Sequence, residues 1–234
     1  MEHQTSDTGI AAALDEVRAR IAAAAERDGR RPEDVRLLLA TKTIQPERII
    51  EAIKAGAALI GENRVQEILA KADALAPCHP DTHLIGHLQS NKVNQVVGRV
   101  SCVQSVDSAG IADRLDRRAG EIGRPLEVFV QVNVSGEESK SGIAPTEVEA
   151  LLEHLAGLQN LRFTGYMTVG LNSPEERQVR AGYEALRDLR DRHLPDFPSA
   201  TELSMGMSGD YELAISCGAT MVRLGSTVFG SRTR

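Results

Sequence analysis

The amino-acid sequence predicts an α/β fold: a single (β/α)8 barrel of the TIM type with one extra N-terminal helix. Three observations support this, namely eight short apolar runs, an amphipathic segment after nearly every run, and a length of 234 residues. Apolar strands that each precede a helix are typical of a parallel sheet buried on both faces. Eight such units in about 200 residues suit a closed barrel at the lower end of its size range. An open doubly wound sheet is the competing fold.

The predicted strands are short apolar runs, many of them rich in β-branched residues. In chain order they are Val35–Thr41, Ala57–Gly61, Thr82–His87, Val100–Val106, Leu126–Val134, Leu161–Val169, Thr201–Met205 and Thr220–Gly225. Their near-continuous apolar character indicates strands that face helices on one side and the barrel interior on the other.

Helical patterns separate these runs. Pro46 fits a helix start, because the first turn leaves that N–H unpaired in any case. Val65, Ile68 and Leu69 recur on one face of the segment after the second run. The predicted helices are Thr8–Asp28, Pro46–Ala55, Asn63–Leu75, Gln89–Val97, Ser108–Ile122, Thr146–Leu155, Pro174–His193 and Asp210–Cys217.

The two ends of the barrel are expected to differ from the regular pattern. Only Phe229–Arg234 follows the last strand and its turn, so a normal eighth helix is missing. The leading helix Thr8–Asp28 is expected to cover the resulting gap. We therefore expect one domain, in which residues 1–30 carry a helix that packs on the barrel of residues 31–234.

The composition excludes several classes of protein. With 41% hydrophobic and 26% charged residues, the chain has the make-up of an ordinary globular domain. No apolar run approaches the ~20 residues of a membrane span. The formal charge of −6 argues against nucleic acid, which needs a basic surface. Residues 1–10 show no secretory signal and the three cysteines show no CxxC spacing, so we expect a cytoplasmic protein.

The histidines offer a metal site as an alternative. His79, His83 and His87 are spaced by four, which on a helix would form a metal-binding face. Pro80 and the apolar run LIG instead favour an extended segment. His83 and His87 would then lie about 13 Å apart at ~3.3 Å per residue, too far for one ion. We therefore expect no metal.

The most informative candidate residue is Lys42, which directly follows the buried run LLLAT. Ligand sites of such barrels lie at the carboxyl ends of the strands. Burial there disfavours the ammonium form, and a neutral amine can form a Schiff base with a carbonyl compound. The alternative is a solvated lysine on a surface turn. Lys140, in a loop rich in Ser, Gly and Glu, is the next lysine to test, although its composition suggests a solvated surface residue.

The loops after the last two strands form a second candidate region. Ser204–Gly209 is small, hydroxylic and glycine-rich and opens a predicted helix, an arrangement that favours an anion. Gly225 and Ser226 offer a close backbone approach and a hydroxyl donor. Arg223 lies two residues before Gly225 and so shares its face of the strand. An aldehyde carrying a phosphate would bridge these loops and Lys42. Ordinary turns, and for Arg223 a salt bridge inside the barrel, are the alternatives.

Several segments together resemble a known family. They are LLLATKTIQPERIIEAIKAGAALIGENRVQE, HLIGHLQSNKVN, VFVQVNVSGEESKSGI, GYMTVG and LSMGMSGDYELAISCGATMVRLGSTVFGSR. Their order and spacing from Val35 to Arg232 resemble the pyridoxal phosphate homeostasis protein family, whose fold is similar to the N-terminal barrel of alanine racemase. The resemblance implies a barrel of fold-type III that binds pyridoxal 5′-phosphate (PLP), a form of vitamin B6, without a C-terminal β domain.

The resemblance also implies roles for individual residues. Lys42 is expected to hold PLP as a Schiff base, and Arg223 to face the pyridine nitrogen. The other residues expected around the cofactor are Asn63 beside the ring, Ser208, Gly225 and Ser226 at the phosphate, and Ser204 and Met207 along the phosphate loop. Ser226 stands where the family pattern has threonine, which preserves the hydroxyl, and Tyr166 stands where leucine is expected.

These residues favour binding over catalysis. An arginine beside the ring nitrogen discourages its protonation, so the cofactor is a weaker electron sink. Enzymes like alanine racemase take a catalytic tyrosine from a second domain, which we do not expect because the chain ends four residues after Gly230. We therefore expect a monomeric, non-catalytic carrier that holds PLP and delivers it to apo-enzymes. The alternatives are an amino-acid racemase and, more remotely, a phosphosugar aldolase.

Overall fold

Eight parallel strands close into a barrel in this computed structural model, which describes residues 9–57, 59–137, 140–171 and 173–230. Each strand pairs with the next, and the last pairs with the first, with Leu38 opposite Arg223. The closed barrel is confirmed, and the open sheet is wrong. The strands are β1 (Arg36–Ala40), β2 (Leu59–Glu62), β3 (Asp81–Leu84), β4 (Cys102–Val106), β5 (Leu126–Gln131), β6 (Leu161–Met167), β7 (Glu202–Ser204) and β8 (Met221–Leu224).

Helices cover the outside of the barrel. They are α1 (Ile10–Arg27), α2 (Pro46–Lys54), α3 (Val65–Leu75), α4 (Val93–Val96), α5 (Ala109–Glu121), α6 (Val148–Ala156), α7 (Glu176–His193), α8 (Tyr211–Ser216) and α9 (Ser226–Phe229). Ile10, Leu14, Val17 and Ile21 form the buried stripe of α1 at helical spacing. This helix packs against α2, α8 and α9, so it fills the gap beside the last strand as expected.

The elements differ from the sequence prediction mainly at their ends. Six of the eight strands stop earlier than their apolar runs, because the chain leaves the sheet to build the loops at the carboxyl end of the barrel, whereas β4 ends where predicted and β2 ends one residue later. The predicted helix Gln89–Val97 begins as a 3-10 turn over Ser90–Lys92 before α4. The predicted helix Thr146–Leu155 likewise starts with a 3-10 turn at Pro145–Glu147. The four-residue helix α9 lies where no helix was predicted.

The protein has two hydrophobic cores. The larger lies between the sheet and the surrounding helices. The smaller fills the barrel interior with Leu38, Cys102, Phe129, Met167 and Met221. The interior also holds buried polar side chains, so it is a packed and partly polar core that can support a site at its mouth.

Two further observations concern membranes and metals. Among the helices of the described ranges, none combines the length and the apolar character that crossing a membrane requires. Within those same ranges, no three His, Cys, Asp or Glu side chains are grouped to hold a metal ion.

Candidate functional site

A cavity of about 270 Å³ opens at the carboxyl end of the barrel, between the ends of β1 and β8. It is large enough for one small molecule. Six of the eight residues proposed from the sequence line it. They are Lys42, Met207, Ser208, Arg223, Gly225 and Ser226. The structure thus brings together residues that are up to 184 positions apart in the chain (226 − 42).

The other two proposed residues lie outside the lining of this cavity. Asn63 follows β2. Its backbone lies so close to Gly86 that a Cβ at position 86 would come within 2.1 Å of the Asn63 carbonyl oxygen. Ser204, at the end of β7, is completely buried, and its hydroxyl accepts a hydrogen bond from Arg223 at 2.9 Å. Ser204 therefore lies behind the cavity and contacts a residue that lines it.

The residue before Lys42 is held by a buried ion pair on the outer side of the sheet. Lys71 of α3 donates to the carbonyl oxygen of Thr41 at 2.7 Å and to the Glu62 carboxylate at 2.7 Å. The hydroxyl of Thr41 donates to the same carboxylate oxygen, also at 2.7 Å. Burial raises the pKa of Glu62, and the hydrogen bonds from Lys71 and Thr41 oppose that shift.

The residue after Lys42 is held as well. Thr43 has a φ of 64°, a left-handed conformation that is rare for a β-branched residue. Its N–H donates to the Glu67 carboxylate of α3 at 3.2 Å. The backbone around Lys42 is therefore fixed from both sides, while the Lys42 side chain itself is only half-buried. The desolvation expected from the sequence is thus partial.

The side chain of Arg223 is fixed inside the barrel. It is buried and donates to the Ser204 hydroxyl at 2.9 Å and to the Thr168 carbonyl oxygen at 2.7 Å. Burial lowers the pKa of Arg223 to about 10, and the nearby Tyr183 and Asp210 act in the opposite direction. The guanidinium is therefore a cation at neutral pH. Within the described ranges it forms no salt bridge, so the lumen salt bridge considered from the sequence is wrong.

The loop between β7 and α8 takes its shape from Asp210 and Gly206, neither of which was predicted to be a site residue. The Asp210 carboxylate accepts the N–H of Met207 at 2.7 Å and the hydroxyl of Tyr183 at 2.7 Å. Gly206 has a φ of 92°, and a Cβ there would lie 2.6 Å from the Cβ of Ala214. The N–H of Met207 is therefore engaged by Asp210 within the protein.

Gly225 brings the last strand close to the first. A Cβ at this position would lie 3.0 Å from the carbonyl oxygen of Ala40, closer than ordinary van der Waals contact. Glycine therefore lets the β8 turn approach β1, which places Ser226 and Lys42 on the lining of the same cavity.

Tyr166 and Lys140 lie outside this cavity lining. The Tyr166 hydroxyl hydrogen-bonds to His193 Nδ1 of α7 at 2.8 Å, on the outer side of the sheet. Lys140 donates to the carbonyl oxygen of Gly170 at 2.8 Å and pairs with Glu137 at 2.6 Å. The side chain of Lys140 is only 15% exposed, so its interpretation as a solvated surface lysine is wrong.

Comparison with known proteins defines the class of this barrel. A family model described as "Alanine racemase, N-terminal domain" matches residues 13–233. The alanine racemase of Clostridium difficile, solved with cycloserine, superimposes with a TM-score of 0.71 at 14% identity. That alignment covers 94% of this chain and 60% of the racemase, and at this identity it shows a common fold only.

Relatives with higher sequence identity identify the family to which this barrel belongs. A pyridoxal phosphate homeostasis protein of Aquifex aeolicus is 42% identical over 222 residues, which cover 94% of this chain and 96% of the relative. PipY of Synechococcus elongatus, solved with PLP bound, has a TM-score of 0.85 and 35% identity over 95% of this chain and all of PipY. This chain belongs to the pyridoxal phosphate homeostasis protein family, as its sequence motifs suggested.

Proposed function

We propose that this protein binds PLP reversibly through Lys42 and serves PLP homeostasis in the cytoplasm by delivering the cofactor to apo-enzymes. The observation that carries the proposal is one small cavity lined by Lys42 from the first strand and by Arg223 and Ser226 from the last. A single chain supplies all of these residues, which supports action as a monomer. The PLP-bound structure of PipY supports the choice of ligand.

The side chains around the cavity fit this ligand. Lys42 supplies a primary amine, Arg223 a guanidinium cation and Ser208 and Ser226 hydroxyl donors, and no carboxylate lines the cavity in the part of the chain that the structure describes. PLP supplies an aldehyde, to which a primary amine adds with loss of water, and water reverses the bond. Lys42 would provide the amine and Ser208 and Ser226 would bind the phosphate. Asn63 and Ser204 would act from outside the lining.

We further propose that the protein is not an enzyme. A racemase needs a second proton-transferring group opposite the lysine. Tyr166, Tyr183 and Tyr211 do not line the cavity, as far as the structure describes its walls. Burial raises the pKa of each of these tyrosines, which keeps them protonated at neutral pH and so unable to accept a proton.

Reductive trapping tests the proposal. Wild-type protein mixed with PLP and reduced with borohydride should gain one covalently bound ligand, located at Lys42 by peptide mass. Lys42→Arg keeps the positive charge but cannot form the Schiff base, so trapping at this site should be lost. Lys54→Arg changes an exposed lysine of α2 and should trap like wild type. Undiminished trapping in Lys42→Arg would refute the assignment.

Two further measurements address delivery and catalysis. Loaded protein separated by a dialysis membrane from an apo-enzyme should restore that enzyme's activity by release alone, and a faster transfer in direct mixture would indicate contact.

Incubation of the protein with common L- and D-amino acids in D2O should leave their α-hydrogens in place. Rapid exchange for any of them would favour the racemase instead.

A further inference from the structure

A chain of hydrogen bonds runs through the barrel interior behind Arg223. Arg223 donates to the Ser204 hydroxyl at 2.9 Å, and this hydroxyl donates to Gln104 Oε1 at 2.6 Å. Gln104 Nε2 in turn lies 2.7 Å from His83 Nδ1. An amide nitrogen can only donate, so His83 Nδ1 accepts and the ring proton lies on Nε2.

The chain continues to the opposite end of the barrel. His83 Nε2 faces the Asp81 carboxylate at 3.7 Å. Asp81 is the first residue of β3, and its side chain is 47% exposed. Arg223 lies near the carboxyl end of β8 at the ligand cavity. A single polar connection therefore links the cavity wall to the amino-terminal mouth of the barrel.

All the bonds in this chain point the same way. Each group donates toward the next one, and the last faces a carboxylate. Hydrogen bonds aligned in this manner polarise one another and favour a positive charge at their donor end. Arg223, which forms no salt bridge within the described ranges, is at that end.

Few other charged groups lie near Asp81 and Arg223, the two ends of this chain of polar contacts. Arg36 of β1 lies near Asp81, and the neighbouring His83 imidazole is the main cause that holds the pKa of Asp81 below its usual range. Tyr183 and Asp210 lie near Arg223. None of these three neighbours is a link in the chain, so its contribution can be separated by substitution.

We propose that Ser204, Gln104 and His83 are positioning residues, anchored by Asp81, that hold the Arg223 guanidinium against the ring nitrogen of the bound ligand. This inference rests on the proposed function, because it takes Arg223 as the partner of the PLP ring. A guanidinium held from behind stays close to the ring nitrogen. Its positive charge then opposes protonation of the ligand more strongly than a mobile arginine would.

Substitution of Gln104 tests the centre of the chain. Gln104→Leu removes the bonds to Ser204 and His83, together with a weaker one to the Met221 sulfur, so PLP should bind about tenfold more weakly. The pH midpoint of the absorbance change of bound PLP should rise by roughly one unit, because Arg223 is held less firmly against the ring. Trapping at Lys42 should persist. A folded Gln104→Leu protein with an unchanged midpoint and affinity would overturn the proposal.

The far end of the chain supplies a test that does not disturb the core. Asp81→Asn should weaken PLP binding about threefold. The matched control is Asp113→Asn, since Asp113 also pairs with a histidine, His154, and is 48% exposed, but lies on the outer helices. Equal affinity in both variants would show that the chain does not reach Asp81. Failure of wild type to trap PLP at Lys42 would instead refute the proposed function.

Discussion

The two basic residues of the cavity, Lys42 and Arg223, are held in opposite ways. Lys42 is half-buried, and the protein fixes its backbone from the outer side of the sheet, through Lys71 and Glu67 of α3. Arg223 is buried, and the protein fixes its side chain from inside the barrel, through the Ser204 hydroxyl and the Thr168 carbonyl oxygen. Lys42 is thus anchored through the backbone of its neighbours Thr41 and Thr43, whereas Arg223 is anchored by its own guanidinium.

This difference suits the two tasks proposed for these residues. An amine that captures and releases an aldehyde needs a fixed origin and a side chain free to move. An arginine that recognises a ring nitrogen needs a fixed position, because a mobile cation would lose orientation at each binding event. The outer helices and the barrel interior therefore make separate contributions, which substitutions can separate.

The largest effect is expected on the lysine side, at the buried ion pair. Lys71→Met leaves the Glu62 carboxylate buried without its partner, and breaking such a pair costs about 3–5 kcal/mol of unfolding free energy. Urea denaturation measures this loss. The double variant Lys71→Met/Glu62→Gln removes the unpaired charge and should recover part of the stability. A single variant as stable as wild type would show that the pair does not support the Lys42 turn.

The next effect concerns the loop on the arginine side. Gly206→Ala forces a Cβ to within 2.6 Å of Ala214 at a positive φ, so we expect a loss of about 2–4 kcal/mol in unfolding free energy. Gly209→Ala is the matched control, because a Cβ there meets nothing within 4 Å. Equal stability of the two variants would mean that the loop tolerates the crowding.

Substitution of two tyrosines compares the loop between β7 and α8 with the outer helix layer. Tyr183→Phe and Tyr166→Phe each remove one hydroxyl hydrogen bond and should each lose about 1 kcal/mol in denaturation. Only Tyr183 contacts Asp210, so only Tyr183→Phe should weaken PLP binding, which a fluorescence or absorbance titration measures. Weaker binding in both variants would indicate a general loosening of the barrel.

The smallest effect is a pH dependence on the arginine side. The neighbouring His83 imidazole lowers the pKa of Asp81, so the contribution of Asp81 to stability is present above the unfolded value of about 3.9 and is lost as the pH falls through the lower folded value. Asp81→Asn should therefore have a lower urea midpoint than wild type at neutral pH. The difference should close in acid, once the pH has fallen below the lowered pKa of the folded state. A constant difference at all pH values would exclude this coupling.

The sequence predicted the barrel and most of the cavity lining because both depend on local patterns. Strand–helix alternation determines the fold, and residues at strand ends meet at one mouth. The supports behind the cavity were not predicted. Gln104 contacts Ser204 across 100 positions, and no local spacing encodes such a contact. A lone glutamine in the run VSCVQSV was the available signal. Lys71 was likewise not selected, since a lysine on an amphipathic helix usually faces solvent.

The pairing of β1 with β8 also bears on how the protein matures during synthesis. A ribosome delivers Lys42 about 180 residues before Arg223 and Ser226. A nascent chain can therefore present the amine proposed to capture the vitamin long before it can close the cavity that would retain it. Retention of the vitamin thus marks a chain in which β8 has joined β1.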